Sequence, residues 1–126
     1  MANELILIVE DNEKNMKLAR DLLQVKGYRT LEAGTAEEGI TLARQHLPQL
    51  ILMDIQLPGM DGVTALEQLK SEPATAAIPV IAFTASAMKT DRARIMAAGF
   101  DTYLSKPINV QEFLGTVRAV CDKSHQ

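Results

Sequence analysis

A lone cysteine, Cys121, leaves a chain of 126 residues without an intramolecular disulfide. The two histidines, His46 and His125, have no cysteine or second histidine at metal-ligand spacing, so no zinc site is expected. Basic residues are not in excess: 13 lysines and arginines stand against 16 acidic residues, for a net charge of -3. The positive footprint that neutralises a phosphate backbone is missing, and nucleic-acid binding is not expected. No apolar stretch approaches membrane-spanning length, and Met1-Ala2-Asn3-Glu4 carries no basic region before the first apolar run. These absences predict a cytoplasmic chain with no membrane partner. Gly/Ser-rich linkers, low-complexity tracts and internal repeats are also lacking, which predicts a single domain over 1–126 with a core from about 4 to 121.

What the chain does have is 47% hydrophobic and 23% charged residues, an ordinary balance for a packed globular fold. Short apolar runs alternate with stretches of helical period, the pattern of five βα units around a parallel sheet covered on both faces. The runs are Leu5 to Val9, Tyr28 to Glu32, Leu50 to Met53, Val80 to Phe83 and about Asp101 to Leu104. Between them, Met16, Ala19, Leu22 and Leu23 mark the inner face of a first helix stopped at Lys26-Gly27. Thr35-Ala36-Glu37-Glu38 forms a capping box for a second helix lined by Ile40, Ala43 and Leu47. Asp61 caps a third, carrying Val63, Leu66 and Leu69, and a fourth runs from about Met88 to Ala98 before Gly99. Asn109 opens a last helix with Val110, Phe113, Leu114, Val117 and Cys121 facing inward, leaving Asp122 to Gln126 as a tail. Cys121 on that stripe reads as a packing residue.

In an open parallel sheet, ligands bind beyond the carboxyl ends of the strands. There the sequence places Glu10-Asp11, Asp54, Thr84 and Ser105-Lys106-Pro107. Singly, each has an ordinary reading: Asp11 as a cap of the first helix, Asp54 as a turn residue, Thr84 as a cap of the fourth helix, Lys106 as a solvated charge. Together, three carboxylates at one edge repel one another unless a cation sits among them. Mg²⁺ suits the small number of protein ligands better than Ca²⁺ does. With the metal and Lys106 supplying positive charge on opposite sides, a phosphoryl group reaching Asp54 meets stabilised equatorial oxygens, and Asp54 is the nucleophile.

From about Glu4 to Val120 these residues resemble a response-regulator receiver domain. The likeness is carried by Glu10-Asp11, by Asp54 followed by Leu57-Pro58-Gly59-Met60-Asp61-Gly62, by Thr84-Ala85 and by Lys106-Pro107, in that order. It implies a flavodoxin-like (βα)5 doubly wound parallel sheet of strand order 2-1-3-4-5. It implies that Asp54 accepts phosphate from a phosphohistidine on a sensor histidine kinase or histidine phosphotransfer protein, within a two-component system or phosphorelay. Glu10, Asp11, Asp54 and the backbone carbonyl of Gln56 would hold or surround Mg²⁺, Lys106 would contact the phosphate, and the bond to Pro107 would be cis. Thr84 and Tyr103 match the switch pair, by which a surface of the fourth helix, fifth strand and fifth helix changes for a downstream protein target. Gln56 and Ser86 fall at positions that tune the lifetime of the phosphate.

The resemblance implies a regulatory domain, not an enzyme, catalysing only its own phosphorylation and dephosphorylation as a monomer or weak dimer. The opening Val9-Glu10-Asp11-Asn12-Glu13-Lys14-Asn15 resembles stand-alone regulators of the cell-division type and receivers of hybrid histidine kinases; the short tail favours the former. A dehalogenase-type phosphatase needs a second aspartate two residues after the nucleophile, where this chain has Gln56. A flavodoxin-like cofactor binder needs a phosphate cradle where Glu10-Asp11 would repel one.

Overall fold

The computed structural model describes residues 3–85 and 89–124. Five parallel strands, β1 (Leu5–Val9), β2 (Arg29–Ala33), β3 (Leu50–Asp54), β4 (Val80–Thr84) and β5 (Thr102–Ser105), form one sheet in the order β2-β1-β3-β4-β5. This is the flavodoxin-like arrangement expected from the sequence. Five helices connect and follow the strands: α1 (Glu13–Val25), α2 (Ala36–His46), α3 (Gly62–Ser71), α4 (Lys89–Ala98) and α5 (Val110–Ser124). No described helix is long and apolar enough to cross a membrane.

Alternation along β1 divides the interior into two layers, because successive strand residues point to opposite faces. Leu7 and Val9 pack with Ile40 and Ala43 of α2, Leu66 and Leu69 of α3 and Ile95 of α4. Ile6 and Ile8 face the other way, toward Met16, Ala19 and Leu23 of α1 and Phe113, Val117 and Cys121 of α5. β3 and β4 lie inside the sheet and are buried along their whole length, which explains why they read as unbroken apolar runs.

The helix starts follow the expected capping chemistry. Thr35, Asp61 and Asn109 accept hydrogen bonds from the backbone N–H groups of Glu38, Thr64 and Glu112. Glu38 reaches back to the N–H of Gly34, one residue before the cap. Gly27 and Gly99 take the left-handed conformation at helix ends, with φ of 90° and 110°.

α1 is capped by Asn12, whose side chain accepts from Asn15 N–H, so the cap reading of Asp11 taken singly gives way to its place in the acidic group. Other details differ from expectation. Leu47 does not line α2; it is the left-handed C-cap, with φ of 47°, and the turn toward Pro48 swings its side chain outward to 52% exposure. Val110 is 45% exposed because it is the first residue of α5, at the rim of the sheet, whereas Phe113 begins the buried stripe. Asp122 is not the start of a tail, since α5 continues to Ser124. Ser86, the expected start of α4 at Met88, and His125 lie outside the described residues.

At the amino-end rim, side chains tie α5 to the start of β1. Arg118 donates to Glu4 and, at 2.8 Å, to Asp122, with its guanidinium 5.5 Å above the ring of Tyr28. Burial would raise the Glu4 carboxyl, but Arg118 and the N–H groups of Asn3 and Glu4 override it and hold Glu4 down at about 2. Cys121 is fully buried nearby, and burial pushes its thiol up to about 11, in keeping with a packing role.

Candidate functional site

The register of the sheet brings the polar residues of four strand ends to one rim. Val9 pairs with Met53 across β1 and β3, so Glu10 and Asp54, each one residue further on, arrive side by side. Asp54 pairs with Phe83, placing Thr84 next along β4, and Thr84 pairs with Ser105 just before Lys106. The main chain ties these ends together: Glu10 N–H donates to Ala33, Ile55 N–H to Phe83 and Lys106 N–H to Thr84.

Glu10 and Asp54 are buried, at 4% and 3% exposure, while Asp11 is exposed. A carboxylate oxygen from each of the three lies within 4.8 Å of the others. Asp11 does not act as a helix cap, so its carboxylate is available to this group. The set consists of hard oxygen donors, few in number and partly open to solvent, and it suits a small dication that keeps several waters. Such a cluster can coordinate a metal ion.

Lys106 changes the electrostatic picture drawn from sequence. Its Nζ lies 2.8 Å from Glu10 Oε1 and 2.9 Å from Asp54 Oδ2, between the two buried carboxylates and not on the far side of Asp54. An ammonium therefore already offsets part of the repulsion, and crowding of the acids alone does not demand a dication. Burial opposes the charge on Lys106, yet the hydrogen bonds it donates to Glu10 and Asp54 prevail and raise it above the usual lysine range. Glu10 is pushed above the usual glutamate range, chiefly by burial and further by Asp54, against the opposing pull of Lys106 and Asn12 N–H.

A further bond to Asp54 comes from the chain that follows it. Gln56 N–H donates to Asp54 Oδ1 at 2.9 Å, so one carboxylate oxygen faces a backbone donor and the other faces Lys106. The side chain of Gln56 is exposed. Beyond it the loop turns at Gly59, with φ of 77°, and closes through Gly62 N–H on the carbonyl of Ile55. A Cβ on Gly62 would sit 2.6 Å from the carbonyl oxygen of Asp54, so the loop packs against the backbone of Asp54 itself. From the sequence Gly62 was only the last residue of the run that follows Asp54; its place directly after the Asp61 cap was the available signal.

Thr84 is buried at the end of β4, and the Lys106-Pro107 peptide bond is cis. Tyr103 is half-buried on β5 and packs against the layer formed by α2, α3 and α4. Its hydroxyl is 3.4 Å from Nη1 of Arg92 on α4, a partner that sequence reasoning missed.

The profile of the response regulator receiver domain matches residues 6–118. The chain belongs to the response-regulator receiver family. This receiver domain is 49% identical over 114 residues to the polar-differentiation response regulator DivK of Brucella ovis, a match covering 90% of this chain and 93% of that protein. Among solved structures, it is similar to a putative response regulator from Chloroflexus aurantiacus, with a TM-score of 0.91 at 28% identity over 95% of this chain and 98% of the other. It is also similar to the receiver domain of a Pseudomonas aeruginosa sensor histidine kinase, with a TM-score of 0.88 at 30% identity over 95% and 98% of the two chains. That structure has a magnesium ion coordinated in its active-site cleft.

Proposed function

We propose that this receiver is a single domain over 1–126 that acts as a phosphorylation-dependent switch, accepting a phosphoryl group from a phosphohistidine onto Asp54. One observation carries the reading: the Asp54 carboxylate is buried between Lys106 and Gln56 N–H and shares its rim with Glu10 and Asp11. A carboxylate oxygen of Asp54 forms a bond to phosphorus as the phosphorus–nitrogen bond of the donor breaks. The electron pair returns to the donor imidazole, which takes up a proton. Lys106 transfers a hydrogen bond from the carboxylates to a phosphoryl oxygen, where negative charge is spread in the transition state. Hydrolysis by water later returns the carboxylate and inorganic phosphate.

Glu10, Asp11, Asp54 and the carbonyl of Gln56 would hold Mg²⁺, Glu10 through water. Bound there, Mg²⁺ would neutralise charge on the transferring oxygens. The Thr84 hydroxyl turns toward the phosphoryl group, and the Tyr103 ring moves into the space it leaves. The face formed by α4, β5 and α5 then presents a new surface to a downstream protein. The donor is a sensor histidine kinase or histidine phosphotransfer protein, and the receiver works in the cytoplasm as a monomer or weak dimer. The 49% identity to a DivK regulator, against 30% to a kinase-attached receiver, favours the stand-alone type.

Acetyl phosphate and Mg²⁺ supplied to the purified protein are expected to add the mass of one phosphoryl group, and Asp54→Asn is expected to abolish the addition. No gain in the parent, or an undiminished gain in the variant, would refute the assignment.

A further inference from the structure

Helix α4 is lightly anchored. Among its described residues, Ile95 alone places a large apolar side chain in the core, while Met96 is 47% exposed. Arg92, on the solvent side of α4, bridges from it to the switch strand through the hydroxyl of Tyr103. The half-buried Tyr103 packs against the core layer, and its hydroxyl meets the guanidinium in an exposed contact.

We infer that Arg92 is a positioning residue that holds Tyr103 in the setting seen here, with its hydroxyl against α4, and so biases the receiver toward its unphosphorylated form. This rests on the switch reading above. If the ring turns inward beside Thr84, the hydroxyl withdraws from α4, and Arg92 on its helix backbone cannot follow it into the core without losing hydration. The contact therefore exists in one state only, and a contact made in one of two states shifts the equilibrium by its full strength. At 3.4 Å the bond is long for its kind. Its removal is expected to raise the ratio of inward to outward rings by about two- to tenfold, the span of ordinary net hydrogen-bond contributions. Arg92 in this role couples the two halves of the output face: release of the tyrosine also removes this tie between α4 and β5.

The composition makes the test clean, since the chain has two tyrosines, Tyr28 and Tyr103, and no tryptophan. Protein labelled with 3-fluorotyrosine gives two fluorine resonances, and Tyr28→Phe assigns the one from Tyr103. Acetyl phosphate with Mg²⁺ fixes the resonance position of the phosphorylated form. In unphosphorylated Arg92→Met, the Tyr103 signal is expected to move part of the way toward that position, with a smaller solvent isotope shift as the ring leaves water. Arg92→Lys, which keeps a donor, should fall between parent and Arg92→Met, and Arg94→Met, which removes an equal charge from the same helix, should leave the isotope shift unchanged. The inference is overturned by an unchanged Tyr103 isotope shift in Arg92→Met, or by an equal change in Arg94→Met. A Tyr103 signal that phosphorylation itself does not move, in protein whose mass shows the added phosphoryl group, would overturn the switch reading along with it.

Discussion

Replacing Gly62 with alanine adds one methyl group where the loop after β3 approaches the backbone of Asp54 and Ile55 closely. The new carbon would lie 2.6 Å from the Asp54 carbonyl oxygen and 2.8 Å from Cα of Ile55. Both are main-chain atoms, and neither can swing away as the tip of a side chain can. Ile55 is held from one side by its N–H bond to Phe83 at 3.1 Å and from the other by Gly62 N–H at 2.9 Å. The segments must part by more than half an ångström to reach ordinary contact. Overpacking of this kind costs about 1–3 kcal/mol. Alanine's better helix propensity returns at most about 1 kcal/mol, and less at the first position of α3. The net expectation is a loss of about 1–2 kcal/mol, or a fall in Tm of about 4 °C for each kcal/mol in a domain of this size.

Function should suffer more than stability. The same displacement moves the backbone that carries the Asp54 carboxylate and the Gln56 N–H bonded to it, and misplacement on this scale costs about tenfold or more in rate. Urea unfolding gives the first quantity, and the rate of mass gain from acetyl phosphate gives the second. Gly34→Ala is the matched control, because a Cβ there meets nothing within 4 Å. It should leave the rate unchanged and raise stability by at most about 1 kcal/mol through the unfolded chain. A Gly62→Ala protein with parental Tm and parental phosphorylation rate would refute the close-packing argument.

Two further perturbations follow from the charges. Glu4, held down at about 2 against an ordinary value of 4.5, contributes stability that is present above the ordinary value and lost as pH falls toward 2. Because Arg118 is 38% exposed, that contribution is about 1–2 kcal/mol, and Glu4→Gln should lose it at pH 7 yet match the parent near pH 2 in urea melts. Lys106→Met leaves Glu10 and Asp54 buried without their ammonium and is expected to cost about 3 kcal/mol at pH 7 without metal. That loss should shrink as pH falls and the Glu10 carboxyl, already raised by burial, takes a proton, and added Mg²⁺ should raise the Tm of the variant more than that of the parent; a pH-independent loss would count against the bridging role of Lys106.

The fold was legible because its signals are local. β1, β3 and β4 are central strands buried on both faces, so their apolar runs are unbroken, and the caps Thr35, Asp61 and Asn109 act through neighbours three residues away. The misplaced residues sit where local periodicity stops governing direction. Leu47 keeps the helical spacing of Ile40 and Ala43 but occupies the turn in which the chain leaves the helix. Val110 has the spacing of Phe113 but lies at the rim. Asp11 and Asn12 are both good caps by type, and only the three-dimensional course of the turn selects Asn12 and leaves Asp11 to the acidic cluster.

The site shows the same division. Its membership could be read from strand ends, because a parallel sheet delivers every carboxyl end to one rim. The electrostatics could not, because 52 residues separate Lys106 from Asp54, and no spacing rule tells whether an ammonium stands opposite two carboxylates or between them. In the structure it stands between, which recasts what the proposed transfer would require. A phosphoryl group would not enter a pocket of bare negative charge. It would take over a hydrogen bond that Lys106 already makes to Glu10 or Asp54, so the gain at the phosphoryl oxygen would be the difference between two charge-assisted bonds and not the full strength of one. On the proposed reading the lysine would be placed before the reaction at little cost of reorganisation, and the groups it would release are the same two carboxylates that a dication would hold.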